Sequence, residues 1–209
     1  MGAFLNVLHS PKQTFERIRD NGGAFLIPFI LLIVISIVGA FLALPAIEKQ
    51  AEEQALTQPE VSAETFKTVA VVSSMVMTPI MIAAGVFITG LLLMLVNLIV
   101  RGEAKYMGLV KVAILSSIPS LIHSLITGVL ARTADVSNIN ELTISLGAFL
   151  EQKSGFLFGL ASIVNPFGIW SLAIMVIGTA VMARKRTSTV AIWIIGGYLL
   201  INIPLAILV

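Results

Sequence analysis

Charged residues divide this chain into five windows that contain no Asp, Glu, Lys or Arg: Asn21 to Ile47, Thr68 to Val100, Val112 to Ala131, Ser154 to Ala183, and Thr187 to Val209. Each reaches the ~20 residues that a helix needs to cross ~30 Å of hydrocarbon. A chain that is 11% charged, with mean hydropathy +1.02, has too few polar groups to cover a soluble globule, for which about 25% charge is usual. The windows therefore predict an all-α polytopic membrane protein: a five-helix bundle over residues 24–209, preceded by a cytoplasmic amphipathic segment over residues 1–23. The first apolar run exceeds the 7 to 15 residues of a signal-peptide core, so it reads as a retained helix.

The basic residues set an orientation. The N-terminal segment and the second and fourth connections hold nine of them, Lys12, Arg17, Arg19, Arg101, Lys105, Lys111, Arg184, Lys185 and Arg186, against four elsewhere, Lys49, Lys67, Arg132 and Lys153. Under the positive-inside rule the N-terminus is cytoplasmic and, after an odd number of spans, the C-terminus is outside. Glu48, Glu52, Glu53, Glu60, Glu64, Asp135, Glu141 and Glu151 then all fall on the external side.

In SPKQTFERIRDNGG, Ser10 and Gln13 have capping-box spacing, Pro11 suits the first helical position, and Gly22 or Gly23 suits a helix end. Phe15 and Ile18 share one face. Short amphipathic surface helices of this kind lie on the inner leaflet, with Lys12, Arg17 and Arg19 toward water and Arg184, Lys185 and Arg186 at the same surface. The alternative is a plain positive flank that only orients the first span. The second window, at thirty-three residues, makes ~50 Å of helix at ~1.5 Å per residue and must stand partly in water. Its helix is expected to rise from an external capping box at Thr57 to Glu60, enter hydrocarbon near Met77, bend at Pro79 and end at Gly102.

Residues Ile163 to Trp170 read IVNPFGIW inside the fourth window. Leu142, Leu146, Phe149, Leu150, Leu157 and Leu160 recur at helical spacing, which predicts an external surface or re-entrant helix over 139–164. Asn165 then caps the fourth span, and Pro166 is its first residue, where a missing N–H has no partner to lose. Phe167 and Trp170 follow in its first turn. A single helix over 155–183, kinked at an interior proline, is the rival reading.

The third span is the most polar. Ser116, Ser120, His123, Ser124 and Thr127 fall on one helical stripe, with Pro119 inside it. His123, twelve residues beyond Lys111, lies ~18 Å above the inner end. Tyr198 sits at the same height above Arg186, and Thr89, Ser171 and Ser36 fall in that layer too, so a polar layer with a His123–Tyr198 pair is one expectation. An intramembrane histidine is a candidate for proton relay or solute contact. The other reading is helix-to-helix hydrogen bonding by neutral polar side chains. No HExxH, P-loop or nucleophile motif occurs, and the chain has no cysteine and two histidines. An enzyme, a bound metal and a cofactor are therefore not expected.

NPFGIW in the fourth span, YMGLVKVAILSSIPSLI over 106–122, and SPKQTFERI near the N-terminus resemble the Yip1 domain family of membrane proteins, in its short prokaryotic form. The resemblance implies five spans with a cytoplasmic N-terminus and a bacterial or archaeal plasma membrane. It also implies an accessory role, since some prokaryotic members assist assembly of ABC exporters. Eukaryotic members, linked to Rab-dependent trafficking, have long N-terminal tails, against about twenty residues before the first apolar run here. The implied partners are the lipid bilayer and other integral membrane proteins, with a homo-oligomer also open and no nucleic acid. A small channel or transporter using the third-helix stripe is the alternative function.

Overall fold

The structure, a computed structural model, describes residues 2–21, 25–57, 62–133 and 142–208. Every regular element among them is helical. Two short helices, α1 (Gly2–His9) and α2 (Pro11–Asn21), precede α3 (Leu26–Thr57) and α4 (Ala63–Ile99). Then come α5 (Tyr106–Ser116), α6 (Ile118–Thr133), a 3₁₀ turn at Leu146–Phe149, α7 (Phe156–Ile163), α8 (Pro166–Ala183), α9 (Thr187–Leu205) and a 3₁₀ turn at Ala206–Leu208. Among the described residues, five stretches are long and apolar enough to cross a membrane: α3, α4, α5 with α6 as one span, α8 and α9.

The first two spans outrun a bilayer. With 32 and 37 residues, α3 and α4 reach ~48 and ~55 Å at ~1.5 Å per residue, so both carry a polar extension. The extensions are joined by Lys67, whose Nζ lies 3.0 Å from Glu48 and 3.6 Å from Glu52. Ser62 caps α4 by accepting from Thr65 N. Thr57 instead ends α3, and the remainder of the expected capping box, residues 58–60, lies outside the described residues. The helix runs on through Pro79 and stops at Ile99, with Val100 as its C-cap, short of the expected Gly102.

The third span begins at Tyr106, six residues before its charge-free window, because Lys111 sits on a helical turn that its long side chain lets reach water. It breaks at Ser117. Pro119 has no N–H to give the turn before it, and two hydroxyls bond carbonyls there: Ser116 Oγ to Ala113 O at 3.1 Å and Ser117 Oγ to Ile114 O at 2.7 Å.

This broken span is the centre of the molecule. Every residue of α5 from Val112 to Ser116 is buried, as are Leu109 and Val110. One side of it packs with Phe15, Ile174, Ala180 and Val190, the other with Leu32, Val86 and Leu121. Phe15 is wholly enclosed, as is Val7 of α1. The face that amphipathic patterning assigns to the membrane surface therefore packs on protein, because α8 offers it a glycine, Gly178. Small residues likewise bring α3 and α6 together. A Cβ on Gly128 would lie 3.2 Å from the Gly39 carbonyl, the close approach that small residues permit between membrane helices.

Candidate functional site: the polar stripe and the basic end

Of the hydroxyl residues of the third-span stripe, Ser116 is buried and Thr127 half-buried, whereas Ser120 and Ser124 are exposed residues whose hydroxyls lie against neighbouring helices. Ser116 bonds its own helix. Ser120 Oγ meets Ser171 Oγ of α8 at 2.9 Å, a hydrogen bond between spans. Ser124 faces α3, where its Oγ lies 3.0 Å from the position a Cβ on Gly39 would take. The His123 ring stacks on Phe167 of α8, with centroids 5.4 Å apart and planes inclined by 26°. His123 Nε2 and Thr127 Oγ1, one turn apart, are buried without a hydrogen-bond partner. The expected His123–Tyr198 pair is not formed, because α6 packs on α3 and α8 and Phe167 covers the imidazole. Within the expected polar layer, Ser171 is bonded to Ser120, and Ser36 turns back to Ile33 O at 2.7 Å. The hydroxyl of Ser36 is thus satisfied on its own helix.

Asn165 is extended (φ −124°, ψ 131°), and its side chain accepts from Gly168 N at 3.0 Å, with Pro166 in the first turn of α8. This is an N-cap, and the kinked-helix reading is excluded. Phe167 points to His123, whereas Trp170 is partly exposed. The preceding segment corrects the sequence expectation of one surface helix. Residues 139–141 lie outside the described residues, and beyond them the chain forms a 3₁₀ turn, an irregular stretch and the short α7. Ser145 caps the turn by accepting from Gly147 N, and Lys153 Nζ donates to Gly147 O and Ala148 O. Gly155, at φ 85°, reverses the backbone before α7. These polar and glycine contacts override the leucine spacing and leave Phe149 and Leu157 largely exposed while Leu142 is buried.

The opposite end, carrying the basic residues, is built from two turns and α2. Asn97, only 2% exposed, accepts from Ala104 N at 3.2 Å and donates to Ala104 O at 3.3 Å. It thereby clamps the turn between α4 and α5. Glu103 N donates to Ala183 O and its carboxylate pairs with Arg184 at 3.4 Å, which ties this turn to the one between α8 and α9. Arg184 adopts a left-handed conformation (φ 53°, ψ 44°) as the C-cap of α8. Arg19 reaches across from α2, bonding Asp20 at 2.8 Å and Val181 O at 3.2 Å. That hydrogen bond raises the Arg19 pKa further and holds Asp20 below the usual carboxylate range. Of the basic residues singled out from sequence, Lys12, Arg19, Arg184, Lys185 and Arg186 line one groove, and Arg17 points elsewhere on α2. Sequence reading misses Asn97, although a lone amide among the apolar residues of a span's last turn is a signal for a buried polar clamp.

Fold and site together define a multi-pass α-helical membrane protein whose spans are joined at one end by a hydrogen-bonded basic platform. The Yip1 domain family matches residues 5–209. The chain belongs to that family. It is 28% identical over 182 residues to Membrane protein YknW of Bacillus subtilis (strain 168), an alignment covering 84% of this chain and 76% of that one. No solved structure matches.

Proposed function

We propose that this chain is a non-enzymatic accessory protein of a bacterial or archaeal plasma membrane that binds other integral membrane proteins and assists assembly or activity of ABC-type exporters. The observation that carries the reading is the Ser120–Ser171 bond. It joins the most polar span to its neighbour, which supports a bundle-holding role for this part of the stripe. The outer spans are open to neighbours. Only 11% of the apolar window of α9 is buried, which leaves most of that helix for lipid or for another protein's helices.

The proposal includes an orientation, with the N-terminus and basic end in the cytoplasm and the α3–α4 extension outside, supported by nine of thirteen basic residues at that end. Reporter fusions after Lys185 and after Val209 are expected to report inside and outside respectively, and the reverse pair overturns it. For the function, deletion of this chain is expected to lower the amount of assembled exporter on native gels of membranes while leaving its subunits' transcripts unchanged. Equal amounts of assembled exporter contradict it. A small channel or transporter is the second reading, favoured by the unpaired His123 Nε2 and Thr127 Oγ1.

A further inference from the structure

The groove at the basic end has a volume of about 380 Å³. Five cations line it, Lys12, Arg19, Arg184, Lys185 and Arg186, with one carboxylate, Glu16. Two of the cations are already engaged: Arg19 by Asp20 and the Val181 carbonyl, Arg184 by Glu103. The side chains of Lys12, Lys185 and Arg186 have no hydrogen bond or ion pair to any described residue. Three unpaired cations around one concavity repel each other, and an anion seated among them would relieve that repulsion.

Position narrows the ligand. The groove opens at the turn between α8 and α9, two membrane-spanning helices separated only by Arg184, Lys185 and Arg186. It therefore lies at the level where a bilayer carries its phosphates. The backbone adds donors of the right kind. Arg186 opens α9 without a side-chain cap, its carbonyl takes the N–H groups of Thr189 and Val190, and those of Thr187 and Ser188 have no acceptor among the described residues. Arg184, a non-glycine residue in the left-handed region, completes the tight turn that brings these groups to the groove. Free N–H groups at a helix start favour phosphate oxygens.

We propose that this groove is a discrete phosphate site that holds the headgroup phosphate of an anionic phospholipid, with Lys12, Lys185 and Arg186 as its cationic contacts. The bound lipid would bridge α2 to the α8–α9 turn and so fix the N-terminal helices on the bundle.

The test is native mass spectrometry of the full chain in mild detergent, titrated with phosphatidylglycerol and, separately, phosphatidylcholine. The K185Q/R186Q variant is compared with K105Q/K111Q, which removes the same charge from the other basic connection. One phosphatidylglycerol is expected to bind tightly and selectively. Since each basic residue near anionic lipid is worth on the order of a fivefold factor, affinity should fall about tenfold or more in K185Q/R186Q and hold in the control. Equal losses in both variants would reduce the site to diffuse surface charge and overturn the proposal. Inorganic phosphate that shifts the melting temperature of the wild type, with no selective lipid binding, would assign the groove to a soluble phosphate and overturn the lipid assignment. Circular dichroism confirms that both variants are folded. Because neither variant touches Ser120, Ser171 or His123, failure here leaves the accessory reading to its own test.

Discussion

The ring of Phe15 rests on Gly178 so closely that a Cβ at that glycine would stand 2.6 Å from the ring Cε2. Phe15 is fully enclosed, and Val112 Cγ1 would stand 2.9 Å from the same added Cβ. Neither neighbour has room to withdraw. Gly178→Ala should therefore destabilise the detergent-solubilised protein by about 1–3 kcal/mol, the usual effect of overpacking. A melting curve checks it, and limited proteolysis should show α2 released before the spans unfold.

Asn97 holds both backbone groups of Ala104, and no other described group bonds them. Asn97→Leu would leave a buried N–H and a buried carbonyl without partners, at about 1–3 kcal/mol for the loss. Melting temperature reads this directly. A variant as stable as the wild type would mean that water satisfies the turn.

Asn165→Ala removes the acceptor for Gly168 N and should lower stability by about 0.5–2 kcal/mol. Pro166→Ala should do little, since proline at the start of a helix lacks a donor that has no helical partner there. The pair is read by chemical denaturation in one detergent, and a larger effect from the proline change contradicts the cap.

Ser120→Ala and Ser171→Ala form a double-mutant cycle across α6 and α8, with an expected coupling of about 0.6 kcal/mol, typical of hydrogen bonds between membrane helices. His123→Phe should keep or slightly raise stability. It retains stacking on Phe167 and removes the unpaired Nε2. If a solute flux measured in liposomes disappears in His123→Phe at undiminished stability, the transporter reading gains over the accessory reading.

The spans and the cap of α8 were legible in the sequence because charge and proline mark them, whereas the cap of α4 falls at Ser62 and not at the expected Thr57. The windows located all five spans, and Asn165 with Pro166 announced the start of α8 because N-cap chemistry is local. The packing order was not legible. Hydrocarbon tails are as apolar as leucine, so nothing in the pattern of α5 separates a helix buried on all sides from one facing lipid. Val110 and Leu115 are buried, while Val76 and Leu91 of α4 are exposed, and the same residue types serve both. The seat of Phe15 was hidden for a related reason, since amphipathic spacing says which face is apolar but not whether lipid or Gly178 receives it. The segment after Leu142 misled the reading in the other direction. Its leucines keep helical spacing, but Ser145, Lys153 and Gly155 impose turns through bonds that periodicity does not register. Of the candidate site, the stripe residues were legible but Asn97 and the partners of the stripe were not, because partner choice depends on which helices touch.

The accessory role is tested most directly by affinity purification of the full chain from its own membranes in mild detergent, with quantitative mass spectrometry against an unrelated five-span bait. The account predicts reproducible enrichment of ABC-type exporter subunits, which is lost when the exposed α9 positions Ile192 and Leu200 are both changed to Trp. Recovery of the chain free of exporter subunits, together with solute flux by the purified protein alone, would contradict it.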